Sequence, residues 1–420
     1  MNAAVSRSVR LFAFLMIAVV VLSSSGLAQS RPQRPAPSKT GDGKRNERPK
    51  PKTAEELKVD EEAKKRLEEE KNAVAEEGVV KVDTNVVNVD AVVFNKKTGQ
   101  IITGLKKENF GIFENGIQQP VSSFTTPESP ITVTLVLEYS KLAETLGNAN
   151  GGRFEPGQYE TVRPVAQFLS TFIKPPNDYA SVIAFDIRPT PITDFTNDPG
   201  RIRQTIDLLL RNSPAFRDSN LFDALKFSLV GGRGDSVVLE NSEAEKSEYG
   251  GMVSVKSKRR AIILVASGID TFSKINLDEI RKIIQAAGIP IYIISTGNLF
   301  YKKYEDRLGA TDSITGMPGR LTFLQAKNQM NTFARESGGM HFEMTFPSEV
   351  PAYLQSINGL LRSQYSLAYD LPVPHEPGKK YKLEVKVDVD GDSAFDDKTY
   401  VVQHRPFVMV PKEKGSKNKK

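Results

Sequence analysis

The sequence predicts an α/β domain, built on a doubly wound and mostly parallel sheet, inserted between two halves of a small β-sandwich. Three observations carry that expectation. Between residues 130 and 347, short apolar stretches alternate with segments whose apolar residues fall at helical spacing. This is the pattern of repeated βα units with a sheet buried on both faces. Before 126 and after 364 the period changes to two, as in half-buried strands. Neither flank holds enough strands to stand alone, so pairing them into one sandwich around the insert is the economical solution.

The first 28 residues read as an export signal. Arg7 and Arg10 precede a twelve-residue apolar run over 11–22, and small residues then lead to Ala28, near which cleavage is expected. Such a run falls short of the ~30 Å hydrocarbon core, so no stable transmembrane span is expected after processing. The expected destination is the periplasm or the cell exterior; an uncleaved anchor is the alternative. No cysteine follows the run, which excludes a lipoprotein. Residues 29–52, with five prolines and eight Lys/Arg against two acids, read as a disordered basic linker. Residues 53–77 read as a solvated, charged helix that opens on Thr53 and Glu56 at capping-box spacing.

The first β half spans 78–126. Val80 and Val82, then Val87, Val89, Ala91 and Val93, alternate with polar residues, and Glu114-Asn115-Gly116-Ile117 marks a hairpin turn. The α/β stretch, 130–347, reads as strands over 131–137, 179–185, 261–265, 289–294 and 340–344. Its helices are expected over 158–173, 201–210, 221–229, 277–287 and 321–336. Polar excursions at 231–259 and 298–320 read as surface insertions. A connecting helix over 348–363 leads to the second β half, 364–410, and a basic tail over 411–420 ends the chain.

Composition narrows the function classes. The 420 residues are 39% hydrophobic and 26% charged, with no cysteine and three histidines. Disulfides, thiolate metal sites, thiol nucleophiles and His-rich metal centres are thereby excluded. The net charge of +6 divides into +2 for 1–28, +6 for 29–52, −5 for 53–77 and +3 for the remainder, of which 411–420 alone carry +4. The body is near neutral, so no nucleic-acid surface is expected.

In an open parallel sheet, ligands sit beyond the carboxyl ends of the central strands. Here those ends hold Leu137-Glu138-Tyr139-Ser140-Lys141-Leu142, Phe216-Arg217-Asp218-Ser219-Asn220 and Val265-Ala266-Ser267-Gly268-Ile269-Asp270, and Ser219-Asn220-Leu221-Phe222-Asp223-Ala224-Leu225 runs on into a helix. With Ile102-Thr103-Gly104-Leu105-Lys106-Lys107-Glu108-Asn109-Phe110 and Phe113-Glu114-Asn115-Gly116, they make the chain over roughly 80–410 resemble the von Willebrand factor type A domain. Within that family it looks like the exported von Willebrand A-related proteins abundant in acidobacteria. The resemblance implies a metal-ion-dependent adhesion site, in which a D-x-S-x-S motif, a later Thr and a later Asp bind a divalent cation. Carried across, the first Asp is Glu138, the first Ser is Ser140, and the second Ser is Leu142, which offers no oxygen. The Thr position is Ser219 and the last Asp falls on Ser267, with Asp270 three residues on as a substitute. The set Glu138, Ser140, Ser219, Ser267 and Asp270 is therefore a degenerate site. Mg²⁺ or Mn²⁺ is its candidate ion, but no cofactor is expected, because Mg²⁺ wants six oxygens and carboxylate charge.

Other signals weigh less. Asp388-Val389-Asp390-Gly391-Asp392 suggests a calcium loop, but its sixth position is Ser393 rather than glycine, so an acidic hairpin turn between two strands is expected. Arg233-Gly234-Asp235-Ser236 reads as loop composition. No GxSxG, P-loop or GxGxxG occurs, and His341, His375 and His404 lie far apart. The expected function is thus an exported, non-enzymatic binding or adhesion module. Its partner would be a protein, held on a face formed by Glu138, Tyr139, Ser140, Ser219, Asn220 and Ser267. The competing readings are a hydrolase with an unrecognised pocket and an assembly component acting through the sandwich edges.

Overall fold

The computed structural model describes residues 86–147, 159–234, 247–314, 316–371 and 375–409. The signal, linker, charged helix and basic tail lie outside these residues, as do Val80, Val82, Asp235 and Ser236.

At the centre lies a six-stranded sheet in the order β13-β12-β11-β6-β7-β8. The middle strand β6 (Ile131–Glu138) is flanked by β11 (Arg259–Ala266) and β7 (Tyr179–Phe185); β12 (Ile291–Ser295) and β13 (His341–Glu343) extend one side. All these pairs are parallel. Only the edge strand β8 (Pro189–Thr196) is antiparallel, reached from β7 by a tight connection.

Alternation along β6 sends Ile131, Val133, Leu135 and Leu137 to one face. There they meet Val162, Val165 and Leu169 of α2 (Tyr159–Phe172), Ile202 and Ile206 of α3 (Pro199–Arg211), and Leu354 and Ile357 of α8 (Val350–Arg362). The other face, with Val136, Ile262 and Leu264, is covered by α4 (Leu221–Val230), α5 (Leu277–Ala287) and α7 (Arg320–Ser337). The sheet is doubly wound, as the apolar strands require. Local chemistry starts the helices: Asp198 caps α3 with Pro199 behind it. Asn276 and Glu279 close a capping box on α5.

Three elements depart from the sequence reading. Strand β8 was not expected. Within the excursion 298–320 runs α6 (Gly297–Tyr304), and before α2 sits a short α1 (Lys141–Gly147). The excursion 231–259 is not wholly superficial either: β9 (Gly232–Gly234) pairs with β10 (Ser247–Tyr249), and Tyr249 and Met252 are buried.

The flanking β segments form two further sheets, each mixing chain from both ends. In one, β1 (Val86–Asn95) pairs with β14 (Tyr365–Asp370), β16 (Tyr400–Gln403) and the short β2 (Ile101–Ile102), and β14 pairs on to β5 (Ser123–Thr125). In the other, β3 (Phe110–Glu114) pairs with β4 (Ile117–Gln119) and with β15 (Lys380–Val387), which carries β17 (Phe407–Met409). Val89, Ala91 and Ile112 share one apolar cluster with Tyr365, Leu367, Leu383 and Val385. Because β15 and β16 belong to different sheets, the Asp388 loop is not the hairpin turn expected. It crosses from one sheet to the other, and Asp388 accepts the backbone N–H groups of Gly391 and Ser393.

Fully buried Arg259 of β11 holds the two chain crossings between the β and α/β segments, donating to the carbonyls of Pro127 and Ser129 before β6 and of Leu361 near the end of α8.

Candidate functional site

Parallel pairing of β6 with β11 aligns Val265 with Leu137, so the next residues, Glu138 and Ala266-Ser267, emerge side by side at the carboxyl end of the sheet. There the Glu138 carboxylate becomes a hub. Its Oε2 accepts the backbone N–H of Ser267 at 2.6 Å and its Oε1 accepts the Ser140 hydroxyl at 3.0 Å. Ser140 in turn accepts the Ala143 N–H, as an N-cap of α1 does. The Ser219 hydroxyl is fully buried with no hydrogen-bond partner among the described residues, yet it lies near enough to favour the charged form of Glu138. Burial pushes the Glu138 carboxyl above its ordinary range, against the opposing pull of the hydrogen bonds from Ser267 and Ser140 and of the nearby Ser219 hydroxyl.

Backbone approach at this spot is close. A Cβ on Gly297 would stand 2.4 Å from the Ser267 carbonyl oxygen, so the first turn of α6 rests directly on the strand end. Gly268 turns the chain at φ +86°, which L side chains rarely adopt, beneath Met330 and Ala326.

The structure therefore brings together Glu138, Ser140, Ser219 and Ser267, and assigns Asp270 elsewhere. Asp270 Oδ1 accepts the Phe222 N–H at 3.2 Å and the Ser273 hydroxyl at 2.5 Å, while Ser273 also accepts from Phe222 and Asp223. Together they cap α4, where an acceptor is favoured by the exposed N–H groups and the helix dipole. Leu142 is buried with Leu146, Ile269, Phe323 and Ala326, so apolar packing fills the place of a second hydroxyl.

This donor set does not fit Mg²⁺ or Mn²⁺. One carboxyl, with both oxygens already accepting hydrogen bonds, supplies neither the charge nor the ligand count that offsets dehydration of the ion.

The expected partner-binding residues also need correction. Glu138, Ser140, Ser219, Asn220 and Ser267 are all buried, and Asn220 is occupied beneath the surface, donating to the Ile187 carbonyl at 2.9 Å. Tyr139 is half-buried, its hydroxyl donating to the carbonyls of Leu209 and Asn212 at the end of α3. Solvent instead meets the loops these residues support. Phe216 is 45% and Phe272 56% exposed, and Ile314 stands wholly clear at the tip of a turn. Backbone bonds hold them together: Lys141 N–H to Phe216, Phe272 N–H to Ser219, and the Arg217 side chain to Gly316. Sequence reasoning placed Phe216 at this end of the sheet without counting it among the binding residues, and missed Phe272 and Ile314 because an isolated apolar residue in a polar loop breaks no periodicity.

Among the described residues, no histidine hydrogen-bonds a serine. His375 bonds Glu114 and stacks on Tyr381; His341 bonds Asn331; His404 accepts from Val385. In the Asp388 loop, ligand atoms of Asp388, Asp390 and Asp392 lie within 4.8 Å of one another.

No family model and no curated protein matches the sequence. Similar solved structures include proximal thread matrix protein 1 from the mussel byssus: 12% identity, 59% of this chain and 51% of that one, TM-score 0.37. The PilB minor pilin from Streptococcus sanguinis aligns at 12% identity over 56% of this chain and 62% of its own, TM-score 0.38. The vWF domain of the type V pili tip protein Mfa5 from Porphyromonas gingivalis aligns at 12% identity over 56% and 95%, TM-score 0.35. The chain thus spans about half of the byssus protein and under two thirds of the pilin.

Proposed function

We propose that this chain is an exported, non-enzymatic binding module with a vWA-like domain, related to the exported von Willebrand A-related proteins. It holds a protein partner on the loops at the carboxyl end of its central sheet, while the flanking β-sandwich, within which that domain is inserted, serves as pedestal. One observation carries the reading. The buried Glu138 hub ties strand ends from distant parts of the sequence and leaves Phe216, Phe272 and Ile314 exposed on the loops above. Exposed apolar groups clustered on one rim mark an interaction surface. The hub is support for that surface rather than the contact itself. Export rests on the N-terminal signal; among the described residues no helix is long and apolar enough to cross a membrane.

Site-specific photocrosslinkers at Phe216 and Phe272, with a control at exposed Ile117 on β4, test the assignment in the exported fraction. A discrete adduct from the rim positions alone is the expected outcome. Adducts at Ile117 instead would move the contact to the β edges, and covalent labelling by a fluorophosphonate would favour a hydrolase.

A further inference from the structure

The opposite end of the central sheet carries a cleft of about 700 Å³, well within the ~300–1,000 Å³ of small-molecule sites. Its origin lies in the alternation of β6. Ile131 and Val133 face α2 and α8, so Thr132 and Thr134 face the side covered by α4. Thr134 is closed over, hydrogen-bonding the Ser181 and Tyr249 hydroxyls, with the Tyr249 ring stacked on both Phe195 and Phe227. Cover stops there. Thr132 and its cross-strand neighbour Tyr179 become the floor, with Tyr179 still 39% exposed. Phe124 of the edge strand β5 and Phe195 of β8 supply apolar walls, and Asn177 and Lys258 line the mouth.

The chemistry of this lining is selective. It contains no Asp or Glu, and Lys258, though donating to the Ser123 hydroxyl at 3.2 Å, forms no ion pair among the described residues. A lone ammonium there attracts a carboxylate. The remaining polar groups are hydroxyls and an amide, which both donate and accept. Ligand hydroxyls do both as well. Exposed ring faces suit the apolar C–H face of a sugar ring, much as they suit other flat apolar surfaces.

We propose that this cleft binds an anionic saccharide, a sugar-ring ligand carrying a carboxylate, with Lys258 on the acid and Tyr179 against the ring. Six residue steps along β6, from Thr132 to Glu138, separate the cleft from the hub, about 20 Å at ~3.3 Å per residue. The two ends are therefore separate sites, and this assignment does not rest on the partner-binding rim. A module occupied at both ends would bridge a protein to an acidic surface polymer.

Calorimetric titration of the full exported chain tests the assignment, using an alginate-derived oligouronate, a neutral malto-oligosaccharide of equal length and an oligoglutamate peptide. The oligouronate should bind best and weaken as salt is raised. Lys258→Gln should cut its affinity about tenfold, the worth of one charge-assisted hydrogen bond, with unchanged melting because Lys258 is exposed. Tyr179→Ala should weaken the uronate and the neutral sugar alike, and Ser219→Ala at the far rim should change neither. Any of four results overturns the proposal: no heat with the oligouronate, equal affinity for the neutral sugar, tighter binding of the peptide, or loss of binding through Ser219→Ala alone.

Discussion

Replacing Glu138 tests whether a carboxyl, rather than a cation, organises the carboxyl-end rim. Glu138→Ala removes the acceptor of the buried Ser267 N–H, bonded at 2.6 Å, and of the Ser140 hydroxyl at 3.0 Å. An orphaned buried donor costs about 1–3 kcal/mol, and the lost side-chain methylenes about 0.8 kcal/mol each. A destabilisation near 3 kcal/mol follows, or roughly 6 °C at ~2 °C per kcal/mol for a domain of this size. Glu138→Gln keeps an acceptor for Ser267 and presents a donor to Ser140, so its change should stay within about 1 kcal/mol.

The two proteins should also part with pH. Burial holds the Glu138 carboxyl above its ordinary value of 4.5 in the folded chain. The folded state therefore binds this proton more tightly than the unfolded state does. That contribution is fully present below the unfolded value and is lost as pH rises through the folded one. Relative to wild type, Glu138→Gln should gain stability on going from acidic to neutral pH.

Melting curves with EDTA and with millimolar Mg²⁺ complete the experiment. A site loaded at a hundred times its Kd would add about 2.7 kcal/mol, some 5 °C; the hub predicts no shift. A Mg²⁺-dependent rise that Glu138→Gln abolishes would refute the argument, as would a Glu138→Ala protein that melts like wild type.

Other expectations are simpler to check. Arg259→Met leaves the buried carbonyls of Pro127 and Leu361 and the part-buried carbonyl of Ser129 without their donor and should cost about 3 kcal/mol, read as a lower urea midpoint; an unchanged midpoint would remove Arg259 as the clasp on the two crossings. Burial alone would raise the Asp178 carboxyl, but Arg362 and the N–H groups of Ile131 and Lys174 outweigh it and hold it below its ordinary 3.8. Its stabilisation is therefore present above that value and lost as pH falls through the lower folded one, so Arg362→Ala should move acid unfolding to higher pH. Gly297→Ala should drive a Cβ into the Ser267 carbonyl and lower Tm by several degrees. Gly359→Ala in α8, with nothing nearer than Ile101 at 3.8 Å, should be neutral or stabilising by up to ~1 kcal/mol.

How far the fold was legible follows from what each element buries. Strands β6, β7, β11 and β12 are covered on both faces, so their apolar runs announce themselves. Strand β8 escaped because Pro189, Pro191 and Asp194 speak against a strand; only an edge tolerates prolines, and being an edge is a property of the sheet rather than of the segment. Helix α6 opens on Gly297-Asn298 and ends in Lys302-Lys303, which reads as polar loop, although Leu299 beneath it is buried. The Asp-Gly signal at 390–391 marked a turn correctly. It could not reveal that the strands on either side pair in different sheets, because alternation fixes a strand's faces and not its neighbours.

At the rim, the positions of Glu138, Ser219 and Ser267 followed from the strand ends, but their burial did not. Polar residues after an apolar strand read as solvent-facing until close backbone contact, as between Gly297 and Ser267, encloses them. The positions that the sequence resemblance singled out are occupied internally. The Glu138 carboxyl accepts the N–H of Ser267, at the position where the resemblance would expect an acid. With an acid at 267 that contact would set two carboxyls against each other, a repulsion that a cation relieves and a buried hydrogen bond does not. Leu142 gives up a hydroxyl to enter the cluster with Ile269 and Phe323, and Asp270 closes the first turn of α4. Glu138, Leu142 and Asp270 are thus each engaged within the chain, whereas a metal-centred arrangement leaves ligands waiting for an ion.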